Sequence, residues 1–370
     1  MQGSRKLRIL LVTLRADYGG GPEHVFQLIK QLKDSVDFCV AAPKEEPYWN
    51  RYSDMVGAAN MFEVPHRKFS TSKLFKLISF AGKQKVDLIH SVGKGGGVYT
   101  RLAGILGGMP VVHTFQGIHI GTYSSLQTWL YLRLEEVFGW FTARSIAVSQ
   151  SEFDLVKKLN IVRNRNLRLV INGVEIPETQ TEKNANAFPR LIISITRFDY
   201  QKNSEMTVQI MEILMKLWPE DQPKPELLFI GTGAGKESLK KLVQEKNLDE
   251  VIRFAGVQPS SQPWLAKGWC YLSSSRWEGL SLALQEAMSY ALPVVATKVV
   301  GNSDAITHNV NGYTYQLDEP ELAAQYLLRL LTDPAEYASK SKAAYLTAKE
   351  EYNVVEMAKQ TKNIYIEVVG

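Results

Sequence analysis

Two successive α/β domains, each a parallel sheet with helices on both faces, are what this sequence predicts, and three observations carry the prediction. Short β-branched apolar runs alternate with helical patterns along the chain, as they do where buried parallel strands are joined by crossover helices. The alternation stops between Glu175 and Phe188 (EIPETQTEKNANAF), a polar, Pro-containing stretch without period, and restarts at Pro189. The length of 370 residues exceeds the usual single domain of about 100–200 residues. The predicted organisation is a first doubly wound, Rossmann-like domain over 1–174, a linker over 175–188 and a second such domain over 189–353. The tail from about 354 to 370 is free to pack back onto the first domain, and a cleft lies between facing strand ends.

In the first domain the strands fall at Leu7–Leu14, Val36–Ala42, Met61–Pro65, Asp87–Ser91, Pro110–Phe115, Arg144–Ser149 and Leu167–Ile171. Helical spacing occupies Glu23–Lys33, Lys73–Lys83, Val98–Leu106, Leu126–Trp140 and Glu152–Leu159. In the second domain the strands are Leu191–Thr196, Glu226–Ile230, Val251–Phe254, Cys270–Ser274 and Pro293–Ala296. Its helices are Glu205–Leu217, Lys236–Glu245, Leu280–Tyr290 and Pro320–Leu331, and the chain is helical from Pro334 to about Val369. Ligands of such sheets gather at the carboxyl ends of the strands.

Composition bounds the function. With 45% hydrophobic and 22% charged residues, the chain is ordinary globular protein and not disordered. The net charge is +5, but 24 basic and 16 acidic side chains stand before residue 186, and 19 and 22 follow. A first half at 24 − 16 = +8 and a second at 19 − 22 = −3 point to an anionic partner for the first half. Two cysteines in apolar runs, Cys39 and Cys270, make no disulfide framework and suit a reducing, cytoplasmic setting. No apolar stretch reaches about 20 residues, so no spanning helix is expected. The start, MQGSRKLRILLVTL, runs directly into strand-like sequence and reads as a first strand, not a secretory signal.

The chemistry concentrates in Trp277–Pro293 (WEGLSLALQEAMSYALP), where Glu278 and Glu286 stand eight positions apart. A helix starting near Gly279 would put Glu278 at its mouth and Glu286 two turns inside. Free N–H groups at that mouth would bind an anion such as a diphosphate, while the carboxylates accept from sugar hydroxyls. An isolated pair of this kind is more often two solvated glutamates. Three further segments change the balance. TRFDYQK (Thr196–Lys202) brings Arg197 and Lys202 to a strand exit, a planar fork and a mobile charge for phosphate. IGTGAG supplies Gly231 and Gly233 at the next exit, and FAGV closes a further strand with Gly256 and Val257.

In this order, TRFDYQK, LLFIGTG, RFAGV and EGLSLALQEAMSYALPVVAT resemble the nucleotide-sugar half of retaining glycosyltransferases of the GT-B fold, specifically glycosyltransferase family 4. GGGPEHV, DLIHSVG, VVHTFQGIH, SIAVSQSE and VINGVE follow the family's order in the first half, so the resemblance covers essentially the whole chain. It implies that Arg197 and Lys202 hold the donor diphosphate, Glu286 the ribose hydroxyls, and Glu278 the transferred sugar or its neighbourhood. Main-chain groups of Gly279, Leu280 and Ser281 would meet phosphate and sugar, and the Gly256–Val257 backbone the base. Gly19–Gly21, including Gly20 and Gly21, would form the loop after the first strand, beside diphosphate and acceptor.

One position departs from the family. Where many relatives carry a histidine before a glycine, this chain has Gln116 ahead of Gly117; glutamine hydrogen-bonds but does not titrate near neutrality. Either Gln116 orients the donor, or His119 or His113 substitutes. No Asp-x-Asp motif offers to hold a divalent cation and the histidine spacing matches no zinc pattern, so neither a metal nor any other cofactor is expected. Lys94–Gly97 (KGGG) lacks a nucleotide-triphosphate pattern and reads as a flexible loop at a strand exit.

The segment RKFSTSKLFKLISFAGKQK (Arg67–Lys85) combines Leu74, Leu77, Ile78 and Ala81 at helical spacing with six basic residues. That composition favours an anionic membrane surface, with a helix packed on the sheet as the alternative; Tyr123–Phe141 adds Trp129, Tyr131, Phe138 and Trp140. No nucleic-acid recognition module is present. The predicted activity is transfer of a hexosyl or N-acetylhexosaminyl group, with retention, from a nucleotide-sugar to a lipid-linked or saccharide acceptor in bacterial surface polysaccharide or glycolipid synthesis. The enzyme would be cytoplasmic, or peripheral on the inner face of the cytoplasmic membrane. A nucleotide-sugar epimerase on the same plan, or a donor-binding subunit without turnover, are the alternatives. A dinucleotide oxidoreductase is disfavoured because no G-x-G-x-x-G follows the first strand.

Overall fold

The structure, a computed structural model, describes residues 5–118, 124–178 and 189–370. It forms two compact units, Met1–Asn172 together with Val354–Gly370, and Gly173–Asn353. The stretch 179–188 of the expected linker lies outside the described residues.

The first unit runs β1 (Leu7–Val12), α1 (Gly20–Leu32), β2 (Val36–Ala42), α2 (Tyr48–Val56), β3 (Met61–Glu63), α3 (Thr71–Lys83), β4 (Leu88–Val92), α4 (Gly93–Gly107), β5 (Val111–Thr114), α5 (Ser125–Trp140), β6 (Arg144–Ala147), α6 (Gln150–Leu159) and β7 (Leu167–Leu169). The second runs β8 (Leu191–Ile195), α7 (Ser204–Leu217), β9 (Glu226–Ile230), α8 (Lys236–Glu245), β10 (Ile252–Gly256), α9 (Gln262–Lys267), β11 (Cys270–Ser273), α10 (Leu282–Ser289), β12 (Val294–Thr297), α11 (Val300–Ala305), β13 (Gly312–Tyr315), α12 (Pro320–Thr332) and α13 (Pro334–Glu351). A last helix, α14 (Val354–Val369), belongs to the first unit. The tail is therefore two helices. The break at Tyr352–Asn353 returns the chain to the first unit.

Both sheets are wholly parallel, ordered β3-β2-β1-β4-β5-β6-β7 and β10-β9-β8-β11-β12-β13. Each is doubly wound, because side chains alternate across the strand and both faces are apolar. Ile9 and Leu11 of β1 enter a core with α1, α2 and α14, while Leu10 and Val12 enter one with α3 and α4. In the second unit Ile192, Leu227, Phe229 and Leu272 share a core with α7, α8 and α12. Cys39 and Cys270 are buried free thiols.

Two sequence expectations need correction. Lys94–Gly97 is not a loop but the first turn of α4. A Cβ on Gly96 would lie 2.6 Å from the Val12 carbonyl oxygen, and one on Gly97 2.8 Å from the His113 ring. These glycines let a helix press directly on the sheet, and that packing overrides their poor helix propensity. Lys94 itself sits 3.8 Å from the Tyr131 ring centroid, a cation–π contact. The Arg67–Lys85 segment also differs: Leu74, Leu77 and Ala81 are buried against the sheet. Its apolar stripe is thus core, leaving Phe69 and Phe75 exposed among the basic residues.

Candidate active site

In a doubly wound sheet the strand order reverses at one point, and the loops leaving the two strands there diverge to open a crevice. In the second unit that point lies between β8 and β11. The loop after β8 carries Arg197 and Lys202; the loop after β11 carries Glu278, Gly279, Leu280 and Ser281. Residues distant in sequence are thereby brought together.

The two loops are knitted by hydrogen bonds. Ser274 Oγ donates to the carbonyls of Lys202 (3.2 Å) and Asn203 (2.8 Å), Gln201 Nε2 to that of Trp277 (3.0 Å), and Arg276 N–H to that of Gln201 (2.7 Å). Lys202 Nζ reaches Glu278 Oε1 at 2.5 Å, with side chains only 15% and 8% exposed. Asp199 organises the cationic side: Oδ2 holds Arg197 Nε at 2.8 Å, while Oδ1 accepts the Lys202 N–H at 3.0 Å. Arg197 also donates to Gln201 Oε1 at 3.2 Å. Asp199, Gln201 and Ser274 were not singled out from sequence. The Asp within TRFDYQK was the available signal, since an aspartate accepting from a following N–H is a common loop-forming device.

The helix expected from Gly279 begins instead at Leu282, with Ser281 as its N-cap. Gly279, Leu280 and Ser281 are the approach to α10, and Glu278 stands before that approach. The N-cap forms no side-chain capping bond, and Glu286 sits in the second turn. Its Oε2 accepts from Ser261 Oγ at 2.9 Å. Tyr271, the second residue of β11, lies within electrostatic reach of both glutamates. Burial first, then the charges of Glu278 and Glu286, push its hydroxyl pKa upward, and that hydroxyl donates to Ile195 O at 3.2 Å.

The glycines after β9 have a different neighbour from the one expected. A Cβ on Gly231, where φ is +135°, would lie 2.0 Å from the Thr196 carbonyl oxygen, and one on Gly233 2.5 Å from the Phe198 nitrogen. The close approach they permit is to the backbone of the Arg197 loop, which Phe198 N–H→Thr232 O (3.1 Å) and Gly235 N–H→Phe198 O (3.0 Å) secure. Gly231 N–H donates in turn to Gly256 O at 2.8 Å, bringing Gly256 and the exposed Val257 alongside. Gly301, at the start of α11, was missed: its Cβ would lie 2.2 Å from Gly279 O and 2.9 Å from Glu278 O.

In the first unit the reversal lies between β1 and β4. Gly20 and Gly21 are not loop residues but the first turn of α1, whose N-cap is Gly19. Gln116 occupies a left-handed conformation at φ 64° and exchanges amide hydrogen bonds with buried Asn172, at 3.4 and 3.3 Å. Buried Glu152 accepts the Gly117 N–H at 2.5 Å and the Val148 N–H at 2.8 Å. His119 lies outside the described residues. His113 is buried with Nδ1 2.8 Å from Ser91 Oγ, and burial, then Arg101 and His90, hold its pKa well below the usual imidazole value. Burial likewise takes His24, beside this cluster, down to about 4. Among the described residues no three His, Cys, Asp or Glu side chains group as metal ligands.

Two family models match the chain: "Glycosyl transferases group 1" over residues 175–347 and "Glycosyltransferase Family 4" over residues 18–177. One similar protein is UDP-Gal:alpha-D-GlcNAc-diphosphoundecaprenol alpha-1,3-galactosyltransferase of Escherichia coli. It is 23% identical over 320 residues, 81% of this chain and 79% of that protein. Another, N-acetyl-alpha-D-glucosaminyl L-malate synthase of Bacillus anthracis, is 22% identical over 328 residues, 85% of this chain and 83% of its own. The solved structure of Anabaena HepE in complex with UDP and glucose superposes with a TM-score of 0.83 at 17% identity, over 98% of this chain and all of that one. That likeness establishes the GT-B fold.

Proposed function

The chain belongs to the glycosyl transferases group 1, glycosyltransferase family 4, and from that premise we propose that it transfers a hexosyl or N-acetylhexosaminyl group, with retention, from a nucleotide-sugar to a lipid-linked or saccharide acceptor in building a bacterial surface glycan. The E. coli relative acts, by its name, on a diphosphoundecaprenol-linked sugar, which supports the lipid-linked acceptor and a site of action at the cytoplasmic face. The observation that carries the reading is the Lys202–Glu278 pair, which joins the two loops of the β8/β11 reversal with Arg197 beside it.

The proposed chemistry follows from charge. Breaking the glycosidic bond leaves a nucleoside diphosphate, so stabilising growing phosphate charge lowers the barrier. Arg197 and Lys202 would meet that charge, with N–H groups of Gly279, Leu280 and Ser281 at the mouth of α10 adding donors. When the diphosphate arrives, Lys202 Nζ would exchange Glu278 for a phosphate oxygen. Glu278 would then accept from a hydroxyl of the sugar, while Glu286 would accept from the ribose. No metal is needed in this scheme, because two cations and a helix mouth neutralise the leaving group. The glycines Gly231, Gly233 and Gly256 would hold the Arg197 loop and the base-side backbone with Val257. Gln116, held by Asn172, would offer a sugar hydroxyl a hydrogen-bonding group that does not titrate near neutrality.

Thermal stabilisation across a panel of nucleotide sugars identifies the donor, since a ligand that binds only the native state raises Tm. Transfer of labelled sugar to an extracted lipid acceptor tests the activity, and the anomeric coupling constant of the product tests retention. Donor converted without acceptor would mean an epimerase. Donor bound and never turned over would mean a binding subunit.

A further inference from the structure

Helix α5 presents an apolar face to solvent. Leu126, Trp129, Leu130, Leu134, Val137 and Trp140 are each 45–66% exposed and follow one another at helical spacing within a single arc of the helix. The opposite side is anchored inward. Glu135 is buried and bonded to the buried Arg101 of α4 at 2.7 Å, and Phe138 lies under the same guanidinium at 5.3 Å. The only charged side chain within the exposed arc, among the described residues, is Arg133, which lies 6.0 Å from the Trp129 ring centroid and bonds Glu136. Such a helix has its apolar side where a soluble domain ordinarily places its polar one.

The surroundings are mainly basic. α4 lies beside α5 through Arg101–Glu135 and Lys94–Tyr131, and α3 packs beside α4. Exposed Lys76 and Lys83 stand on α3, Lys94 on α4, and exposed Arg67 and Lys68 just ahead of α3, with Glu63 paired to Lys73 as the acidic exception. Between residues 64 and 141 only three carboxylates occur, Asp87, Glu135 and Glu136, and Glu135 is consumed by Arg101.

We propose that the exposed face of α5 is a membrane-docking surface that lies in the plane of an anionic bilayer, with the basic residues of α3 and α4 against lipid headgroups. This rests on the lipid-linked acceptor reading and deepens it by naming how the enzyme reaches such a substrate. Charge complementarity selects the occupant. A second copy docked through the same patch would bring two cationic rims together, whereas anionic headgroups pair with them. Trp129 and Trp140 lie about 16 Å apart along the axis at 1.5 Å per residue. Indole rings at both ends of an in-plane helix suit the headgroup boundary. No helix among the described residues is long and apolar enough to cross a membrane, so the contact is superficial.

The test is co-sedimentation of the full chain with phosphatidylcholine vesicles, with and without phosphatidylglycerol, in the absence of donor and acceptor. The wild type should bind the phosphatidylglycerol vesicles and release at high salt. The double variant Leu130→Glu/Val137→Glu should bind about tenfold or more weakly. Both changes are on exposed positions, so its melting curve and its transfer to a water-soluble acceptor should match wild type. A wild type left in the supernatant at low salt, a double variant that sediments equally, or a wild-type dimer that the variant dissolves would each overturn the proposal. Vesicle binding without any transfer would support the surface and remove the acceptor reading, so the two fail separately.

Discussion

Gly301→Ala is the most discriminating single substitution in the second unit. The added methyl would lie 2.2 Å from Gly279 O and 2.9 Å from Glu278 O, whereas carbon meets a non-bonded atom comfortably at about 3.5 Å. Relief therefore needs about 1 Å of backbone movement, and both obstructing atoms are main chain of the turn that carries Glu278. Overpacking of this kind costs about 2 kcal/mol, which lowers Tm by about 4–8 °C in a unit of this size. Displacing a substrate-positioning turn by about 1 Å costs about 100-fold in turnover. The assay pairs a thermal melt with calorimetric donor affinity and kcat. Gly82→Ala is the control: it too lies in a helix, but nothing stands within 4 Å of its Cβ, so it should be neutral or stabilising by about 0.5–1 kcal/mol. If Gly301→Ala melted and bound donor like wild type, the turn would not be where this geometry puts it, or would not matter.

Four other outcomes are expected. Lys202→Met should leave the 8%-exposed Glu278 carboxylate without its ammonium and destabilise by up to about 3 kcal/mol. Lys202→Met/Glu278→Leu should recover much of that in urea melts while remaining inactive, and a double variant no more stable than the single would deny the pair. Glu286→Ala should weaken nucleotide binding by calorimetry with little change in fold; unaltered affinity would end its proposed ribose role. Glu152→Gln should lower stability by about 1–3 kcal/mol, because an NH2 group would replace one of the oxygens that accept from Gly117 and Val148. It should also raise the donor KM, and a variant with unchanged stability and unchanged KM would separate Gln116 from this clamp. Acid should loosen α14. The Arg144 hydrogen bond, then Arg168, holds Glu367 down to about 2, while burial, then His24, takes His90 down to about 3. Both folded values lie below the unfolded ones, so each group contributes stability above its unfolded pKa and loses it as pH falls toward its folded pKa. The window opens below about 6.5 for His90 and about 4.5 for Glu367. Exposure of Glu367 limits its share to about 1 kcal/mol or less. Hydrogen exchange of α14 at pH 7 and pH 4 reads the effect, and equal protection would contradict it.

Much of the fold was legible because buried parallel strands are nearly continuous apolar runs. Val36–Ala42 and Glu226–Ile230 stand where the pattern placed them. The elements that escaped have weak signals. α2 buries only Tyr48 and Tyr52 of nine residues, α11 is six residues with an early glycine, and β13 is a four-residue strand entered through Gly312. The glycine run in the first turn of α4 misled because its reason is tertiary: the Val12 carbonyl and the His113 ring leave no room for a Cβ. At the site, the residue types of the Glu278–Glu286 pair and of Arg197 and Lys202 were readable, since their spacing is local. What local spacing could not contain was the partnership of Lys202 with Glu278, or the bracing by Asp199, Ser274 and Gly301. Those arise only when β8 and β11 become neighbours.

The return of α14 to the first unit has a consequence for biosynthesis. Val354, Met357, Ala358, Ile364 and Tyr365 fill the core beneath Ile9, Leu11 and Leu88, and Tyr365 and Glu367 bond His90, Arg144 and Arg168. The earlier segment, through Asn172, therefore lacks part of its interior until the later segment Val354–Gly370 has emerged from the ribosome. The intervening unit, Gly173–Asn353, is contiguous and has everything it needs earlier. Nascent chains should thus mature from the middle outward, with the leading half waiting, open and chaperone-accessible, for its closing piece.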